Sequence, residues 1–129
     1  MNSFEELEAW KCARQLRKSI SDLVKSFPAE EKYRLVDQLV RASRSITANI
    51  AEGFGRFHYQ ENIQFCRQAR GSLHETLDHL ICSFDEKFIS EIELENFKNE
   101  ISISLRVLNG YILYLKKAKN QNKTDNSDT

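Results

Sequence analysis

The chain has 129 residues, enough for one domain with a substantial core and too few for two independent domains. Lysine plus arginine and aspartate plus glutamate both number 19, so the chain lacks the strong overall positive charge of a protein that coats nucleic acid. With one proline and four glycines, it contains few helix breakers, which predicts an all-α fold.

The cysteines and the N-terminal segment both indicate a reducing compartment inside the cell. Cys12, Cys66 and Cys82 are widely spaced and form no CxxC pair, which disfavours a disulfide framework or a zinc knuckle and predicts reduced, mostly buried thiols. The first residues lack the basic start and apolar run of a secretory signal, and no stretch approaches the ~18 apolar residues of a membrane span. We therefore expect a cytoplasmic protein with no membrane partner.

Apolar residues recur every three or four positions in four stretches, which is the spacing of amphipathic helices. The predicted helices cover about residues 4–26, 30–52, 59–85 and 91–118. Ser3 and Glu6 have the spacing of a capping box at the start of the first helix. Ser90 and Glu93 have the same spacing at the start of the fourth. Pro28 ends the first helix and suits the start of the second.

The ends of the second and fourth helices are predicted from composition. Gly53 follows the last apolar turn of the second helix, and we expect it to end that helix in the left-handed conformation. Residues 119–129 contain no apolar side chain, which predicts a disordered polar tail. The folded domain is therefore expected to span residues 1–118.

A second, semi-apolar stripe lies on the fourth helix, away from its predicted core face. The stripe consists of Ile103, Val107, Gly110 and Tyr114. A helix that is apolar on two sides usually contacts something outside its own bundle, because exposed apolar surface forfeits about 25 cal/mol per Å². The stripe therefore predicts self-association. The alternative is that these are scattered exposed apolar residues of the kind common on monomers.

Three stretches resemble one bacterial protein family. They are WKCAR at Trp10–Arg14, FPAEEKYRLVDQLVRASRSITANIAEGFGR at Phe27–Arg56 and FCRQARGSLHET at Phe65–Thr76. The chain resembles, over about residues 4–117, the family first noticed as proteins encoded in intervening sequences of large-subunit (23S) ribosomal RNA genes. The resemblance implies an up-down-up-down four-helix bundle that assembles as a homopentamer.

The resemblance also implies a relationship to the accessory variability determinant protein of diversity-generating retroelements. That relative is a basic pentamer that works with a reverse transcriptase and nucleic acid, so RNA, DNA and a reverse transcriptase are implied partners. Two features of this chain differ from those of the family and its retroelement relative. The charge here is balanced, and Thr47 stands where the family commonly has proline, which restores an amide donor and should relax a kink.

Arginines on the second and third helices are the candidate contacts to nucleic acid, because guanidinium groups can bind phosphates bidentately and a ring would repeat any basic patch. They are Arg34, Arg41, Arg44, Arg56, Arg67 and Arg70. The alternative is that Asp37, Glu52 and Glu75 pair with these arginines within or between helices.

Polar residues inside the family-like motifs are interpreted as structural. Asn49, Glu52 and Glu75 are expected to hydrogen-bond between helices or to backbone, because a buried polar group without a partner costs about 1–3 kcal/mol. The fourth helix is acidic at its start and basic at its end, which complements the helix dipole. Parallel protomers would then share one basic rim.

Aromatic residues surround the glycine-rich turn after the second helix. Phe54, Phe57, His58 and Tyr59 could stack on bases of single-stranded nucleic acid, or they could fasten the loop onto the end of the bundle. The residues alone leave both interpretations open.

No pattern of catalytic residues is found. In the run from His74 to His79, His74 and Asp78 share one side of a helix and Glu75 and His79 share another, so the four do not converge on one metal ion. No Glu-x-x-His motif occurs in the sequence. We therefore predict no catalytic residue, no metal and no cofactor. The sequence favours a non-enzymatic oligomeric bundle that binds nucleic acid, preferably RNA, through repeated arginine patches. The alternative is a protein-interaction scaffold without a nucleic-acid role.

Overall fold

The computed structural model describes residues 2–127 and the side chains of residues 2–122. Its four α-helices are α1 (Glu8–Leu23), α2 (Leu35–Gly55), α3 (Tyr59–Asp85) and α4 (Glu91–Ser127). Short 3-10 turns cover Phe4–Glu6, Val24–Ser26 and Ala29–Glu31. No strand occurs within residues 2–127, and the prediction of an all-α fold is confirmed.

Each helix packs against two others, in the order α1, α2, α3, α4 and back to α1. Gln60 and Asn62 near the start of α3 contact Lys119 and Tyr111 late in α4, so these two helices are antiparallel. The centre of the bundle is filled by fully buried aliphatic side chains, each of which stabilises the fold by about 1.5–3 kcal/mol. They include Leu16, Ile20, Leu39, Ile46, Ile50, Leu73, Leu80, Ile101, Leu108 and Leu115.

The chain enters α1 differently from the prediction. Ser3 Oγ accepts a hydrogen bond from the backbone N–H of Glu5, so it caps a single 3-10 turn rather than a long helix. Leu7 then adopts an extended backbone with its side chain buried, and α1 begins only at Glu8. The predicted start near residue 4 is therefore wrong, because burial of Leu7 interrupts the helix.

The predicted capping box at the start of α4 is confirmed. The N–H of Glu93 donates to Ser90 Oγ at 3.1 Å, and the N–H of Ser90 donates to Glu93 Oε1 at 2.8 Å. Both backbone donors would otherwise lack a partner inside the helix.

The second helix begins and ends later than predicted. After the 3-10 turn at Ala29–Glu31, the backbone leaves the helical region at Arg34, and α2 starts at Leu35. Gly53 is inside α2, and no described glycine has a positive φ, so the prediction that Gly53 ends the helix in the left-handed conformation is wrong. A Cβ atom on Gly53 would lie 2.7 Å from Asn62 Oδ1 and 2.9 Å from Phe65 Cβ. Gly53 therefore permits the close approach of α2 and α3.

Thr47 lies inside α2, which runs without a break from Leu35 to Gly55. Its hydroxyl donates to the carbonyl of Arg44 and accepts from Arg17 Nη1 at 2.9 Å, which links α2 to α1. Thr47 thus makes a contact between helices that a proline side chain could not make.

The fourth helix continues to Ser127, so its predicted end near residue 118 is wrong, and residues 119–127 are helical rather than a disordered tail. No glycine or proline follows Gly110 in the sequence, and polar composition alone does not end a helix. Asp128 and Thr129, which were included in the predicted tail, lie outside the described residues, as does Met1.

The three cysteines are free thiols in three different environments. Cys66 is buried, Cys12 is half-buried and Cys82 is exposed near the end of α3. The expectation of mostly buried thiols is therefore wrong for Cys82. None of the helices in the described range is both long and apolar enough to span a membrane.

Candidate nucleic-acid interface

The structure separates the six candidate arginines into different environments. Arg41 pairs with Asp37 at 3.2 Å, one helical turn away. Arg56 pairs with Glu52 at 2.9 Å and lies 3.7 Å from Glu61. The positive charge of Arg41 and Arg56 is therefore largely offset by carboxylates.

Arg34 and Arg44 lie apart from each other and from these pairs. Arg34 is exposed at the backbone break before α2. Arg44 lines an open groove of about 390 Å³ between α1 and α2. The other residues of this α1–α2 groove are Phe4, Trp10, Arg17, Thr47, Ala48 and Ala51.

Arg67 and Arg70 face α4, where they join two lysines that were not among the candidate contacts. Arg67, Lys116 and Lys119 line a depression of about 250 Å³ between α3 and α4. Arg70, one turn along α3, donates from Nη1 to Asn109 Oδ1 at 3.0 Å. We call Arg67, Arg70, Lys116 and Lys119 the cationic face.

The cationic face has no carboxylate partner among the side chains of residues 2–122. Lys119 donates to Gln60 and Arg70 donates to Asn109, and both acceptors are neutral amides. A neutral acceptor holds the side chain in place but leaves its charge uncompensated, unlike the carboxylates beside Arg41 and Arg56. The cationic face therefore groups four cations without a carboxylate partner among the described side chains, whereas the α1–α2 groove holds two such cations, Arg17 and Arg44.

From the sequence, Lys116 and Lys119 are assigned only to the basic end of the fourth helix and are not predicted to contact nucleic acid. A more specific signal was available, because antiparallel packing of adjacent helices places the end of the fourth beside the start of the third. Lys116 and Lys119 are also three residues apart, so they lie on one side of a helix.

Aromatic side chains form a cleft of about 420 Å³ at the end of the bundle that also carries the cationic face. This aromatic cleft is lined by Leu7, Phe54, Arg56, Phe57, His58, Tyr59, Asn62, Tyr111, Tyr114 and Leu115. Phe54 packs against the core and fastens the turn to the bundle, whereas Phe57 is 95% exposed. The packing of Phe54 agrees with the second interpretation, and base stacking by the exposed Phe57 stays a prediction.

The floor of the aromatic cleft carries a hydrogen-bonded pair. Asn62, which is 7% exposed, donates from Nδ2 to the hydroxyl oxygen of Tyr111 at 3.0 Å. Partial burial raises the pKa of the Tyr111 hydroxyl, so this group stays protonated at neutral pH. Arg56 lies 5.0 Å from the centre of the Phe65 ring, which fixes its position at the rim.

The three residues interpreted as structural make local contacts. Asn49 donates to the carbonyl and the hydroxyl of Ser45, and Ser72 of α3 donates to the same hydroxyl at 3.0 Å. Glu52 pairs with Arg56, whereas Glu75 lies 3.4 Å from His79 rather than beside an arginine. Of these contacts, the hydrogen bond from Ser72 to Ser45 joins α2 to α3, and the others lie within one helix or at its end.

The apolar stripe of α4 is partly open to solvent in the protomer. Ile103 is 45% and Tyr114 is 61% exposed. Gly110 has no atom within 4 Å of the place where its Cβ would be, whereas Val107 is half-buried against the core. The proposed role of these residues in self-association stays a prediction.

The side chains of residues 2–122 contain no group of three or more His, Cys, Asp or Glu residues that could hold a metal ion. Burial raises the pKa of the Cys66 thiol to about 11, so this thiol is protonated at neutral pH and is a poor nucleophile.

A family model described as 23S rRNA-intervening sequence protein matches residues 5–110 of the chain. Among solved structures, the chain is similar to a protein of unknown function from the S23 ribosomal protein family of Bacteroides thetaiotaomicron. The TM-score is 0.74 at 22% sequence identity, and the match covers 81% of this chain and 94% of the other. At this identity the likeness shows the fold. No curated protein matches the chain.

Proposed function

Since this chain belongs to the 23S rRNA-intervening sequence protein family, we propose that it is a non-enzymatic, self-assembling helical bundle that binds RNA through its cationic face. The observation that carries the proposal is the uncompensated charge of Arg67, Arg70, Lys116 and Lys119 between α3 and α4. In a chain with a formal net charge of zero, such a face is a local feature rather than a consequence of composition.

The cationic face suits contacts to phosphates rather than to base edges. Arginine and lysine side chains bind phosphate oxygens of any sequence, so we expect binding without strong sequence preference. One such patch binds weakly. A homopentamer would present five copies, and simultaneous engagement of several copies raises the overall affinity without any new type of contact.

Self-assembly into a ring needs two different surfaces that fit each other. The α1–α2 groove has aromatic walls at Phe4 and Trp10 and small residues at Ala48 and Ala51. The stripe on α4 offers Ile103 as an exposed apolar side chain of the kind that such a groove accepts. We propose that these two surfaces of neighbouring protomers meet.

The alternative function is a protein-interaction scaffold. The exposed apolar side chains of Ile103, Leu113 and Tyr114 favour it, because an exposed apolar surface also suits another polypeptide. A reverse transcriptase is the protein partner that a relationship to the retroelement protein would supply. Under this alternative the cationic face has no role in binding RNA.

A charge-reversal experiment separates the two functions. We expect the double variant Arg67→Glu, Lys116→Glu to lose retention of single-stranded RNA at low salt, while circular dichroism shows an unchanged helical content. The control is Lys25→Glu, Lys98→Glu, which makes the same change in net charge at the opposite end of the bundle. If the wild-type protein retains no RNA at low salt, or if both double variants behave alike, the RNA-binding function is wrong.

A further inference from the structure

The aromatic cleft has the size and lining of a ligand site rather than of a packing defect. Its volume of about 420 Å³ falls within the range of about 300–1,000 Å³ that is usual for small-molecule sites. Phe57 is 95% exposed at its edge, so this ring makes little contact with its own protomer. Exposed aromatic faces around a concave surface can stack on a flat ring.

A hydrogen-bond donor accompanies the aromatic faces. The hydroxyl oxygen of Tyr111 accepts the hydrogen bond from Asn62 Nδ2, which leaves the hydrogen of the hydroxyl without an acceptor among the side chains of residues 2–122. A carbonyl oxygen or a ring nitrogen of a ligand could accept this hydrogen. An aliphatic ligand would stack poorly and would leave the donor unused.

The surroundings of the cleft favour a ligand attached to phosphate. The phosphate contacts come from the neighbouring cationic face, because the charge of Arg56, which also lines the cleft, is offset by Glu52 and Glu61. Tyr59 and Leu115 line the cleft, and their sequence neighbours Gln60 and Lys116 line the depression of the cationic face. Phosphates on the cationic face would therefore bring the bases of the same strand close to the cleft.

We propose that the aromatic cleft receives one unpaired nucleobase of the strand held by the cationic face, an inference that rests on the proposed function. The base stacks on the aromatic side chains and accepts a hydrogen bond from Tyr111. Base stacking of this kind tolerates many sequences, because every base has a flat aromatic face. The shared chemistry is a nucleobase, which a single strand or a free nucleotide could supply.

The test compares two strands of equal length and charge, a single-stranded 12-nucleotide oligouridylate and the same strand with abasic sites. We expect the full-length protein to bind the uridine strand about tenfold more tightly, the effect typical of stacking one base on an aromatic side chain. Phe57→Ala should remove this preference while leaving the affinity for the abasic strand unchanged. Tyr33→Ala is the matched control, because Tyr33 is also a highly exposed aromatic residue but lies at the opposite end of the bundle.

A second variant tests the donor, and a third arm tests the source of the base. Tyr111→Phe keeps the ring and removes the hydroxyl, so it should reduce the preference for uridine a fewfold. Uridine monophosphate alone is titrated while the NMR signals of Tyr111 and His58 are followed. Shifts with the mononucleotide but no strand preference would identify a free nucleotide as the source of the base.

The outcomes distinguish this proposal from the proposed function. Equal binding of both strands, together with no response to uridine monophosphate, overturns the nucleobase site while RNA binding by the cationic face stands. Failure of both strands to bind at low salt overturns the proposed function, and the mononucleotide titration alone then decides whether the cleft holds a base.

Discussion

Gly53 and Gly55 lie two residues apart at the end of α2, but their surroundings are opposite. A Cβ on Gly53 would collide with Asn62 and Phe65, whereas a Cβ on Gly55 would have no atom within 4 Å. The side chain of Asn62 cannot move aside freely, because its amide also bonds to Tyr111. The contact between α2 and α3 therefore depends on Gly53.

The two glycines should respond to alanine substitution in opposite directions. We expect Gly53→Ala to lower the free energy of unfolding by about 1–2 kcal/mol, because overpacking outweighs the gain in helix propensity. Gly55→Ala should raise it by about 0.5–1 kcal/mol, because only the propensity changes. Urea unfolding followed by circular dichroism measures both. A Gly53→Ala variant as stable as the wild type would contradict the close approach of the helices.

Cys66 gives the unfolding free energy a pH dependence whose sign follows from its burial. The pKa of its thiol is raised from 9.0 to about 11, so the unfolded chain loses this proton at lower pH than the folded protein does. Its contribution to stability is therefore complete below about pH 9 and is lost as the pH rises towards about 11.

Replacement of this thiol should flatten the alkaline part of the stability profile. Between pH 8 and pH 10.5 we expect the urea midpoint of Cys66→Ala to fall less than that of the wild type. Cys82→Ala is the control, because its thiol is exposed and its pKa is raised less than that of Cys66, by slight burial and by the nearby carboxylates of Asp78, Asp85 and Glu86. Parallel midpoint curves for the wild type and Cys66→Ala would contradict this assignment.

At the scale of the elements, the end of α3 is a Schellman motif built without glycine. Lys87 has a φ of 66°, and the N–H groups of Lys87 and Phe88 donate to the carbonyls of Phe84 and Ser83. The left-handed conformation disfavours any side chain that has a Cβ. The motif therefore carries a local strain that glycine would remove.

We expect Lys87→Gly to raise the free energy of unfolding by about 0.5–1 kcal/mol. Lys98→Gly, at an exposed position inside α4, should lower it by about 1 kcal/mol, because glycine is a poor residue in a helix interior. Thermal unfolding monitored by the ellipticity at 222 nm compares the two variants. Equal melting temperatures of Lys87→Gly and Lys98→Gly would rule out strain at Lys87.

The apolar stripe of α4 is tested best at Ile103. Val107 packs partly against the core, so a charge there would weaken the protomer as well as an interface. We expect Ile103→Asp to lower the sedimentation coefficient to that of a single 15.1 kDa chain. Ile92→Asp is the control, since Ile92 is the same residue type and is more exposed than Ile103 but lies in the first turn of α4. Identical sedimentation of both variants and the wild type would exclude an interface at the stripe.

The elements differ in how far the sequence predicted them. The limits of α3 and the start of α4 were correct, because periodicity and the Ser90–Glu93 box are local signals. The break at Leu7 and the role of Gly53 were missed, because both depend on which atoms lie across the helix interface. The continuation of α4 was missed because polar composition was taken as the end of the helix.

At the scale of the whole molecule, equal numbers of acidic and basic residues conceal an uneven distribution. The candidate site was predicted only in part. Arginine identity singled out Arg67 and Arg70, and the i, i+4 spacing of Asp37 and Arg41 already allowed their pairing to be foreseen as an alternative. The meeting of Arg67 with Lys116 is visible only when helices are placed side by side. Charge counted along a chain cannot show which cations meet in space.

The salt dependence of RNA binding should report the size of the cationic face. If about four cations of one protomer contact phosphates, the slope of log K against log salt is about −3 for a single strand. The Arg67→Glu, Lys116→Glu variant should reduce the slope by more than one, whereas Lys25→Glu, Lys98→Glu should leave it unchanged. A wild-type slope near zero would mean that phosphates do not carry the binding.

The exposed thiol of Cys82 also gives the molecule a natural place for a probe. It lies near the end of α3, at the end of the bundle away from the aromatic cleft, and the other two thiols are more deeply buried. A maleimide dye should therefore react there first and leave both proposed binding surfaces untouched. Stepwise photobleaching of the labelled protein would then count its copies one molecule at a time.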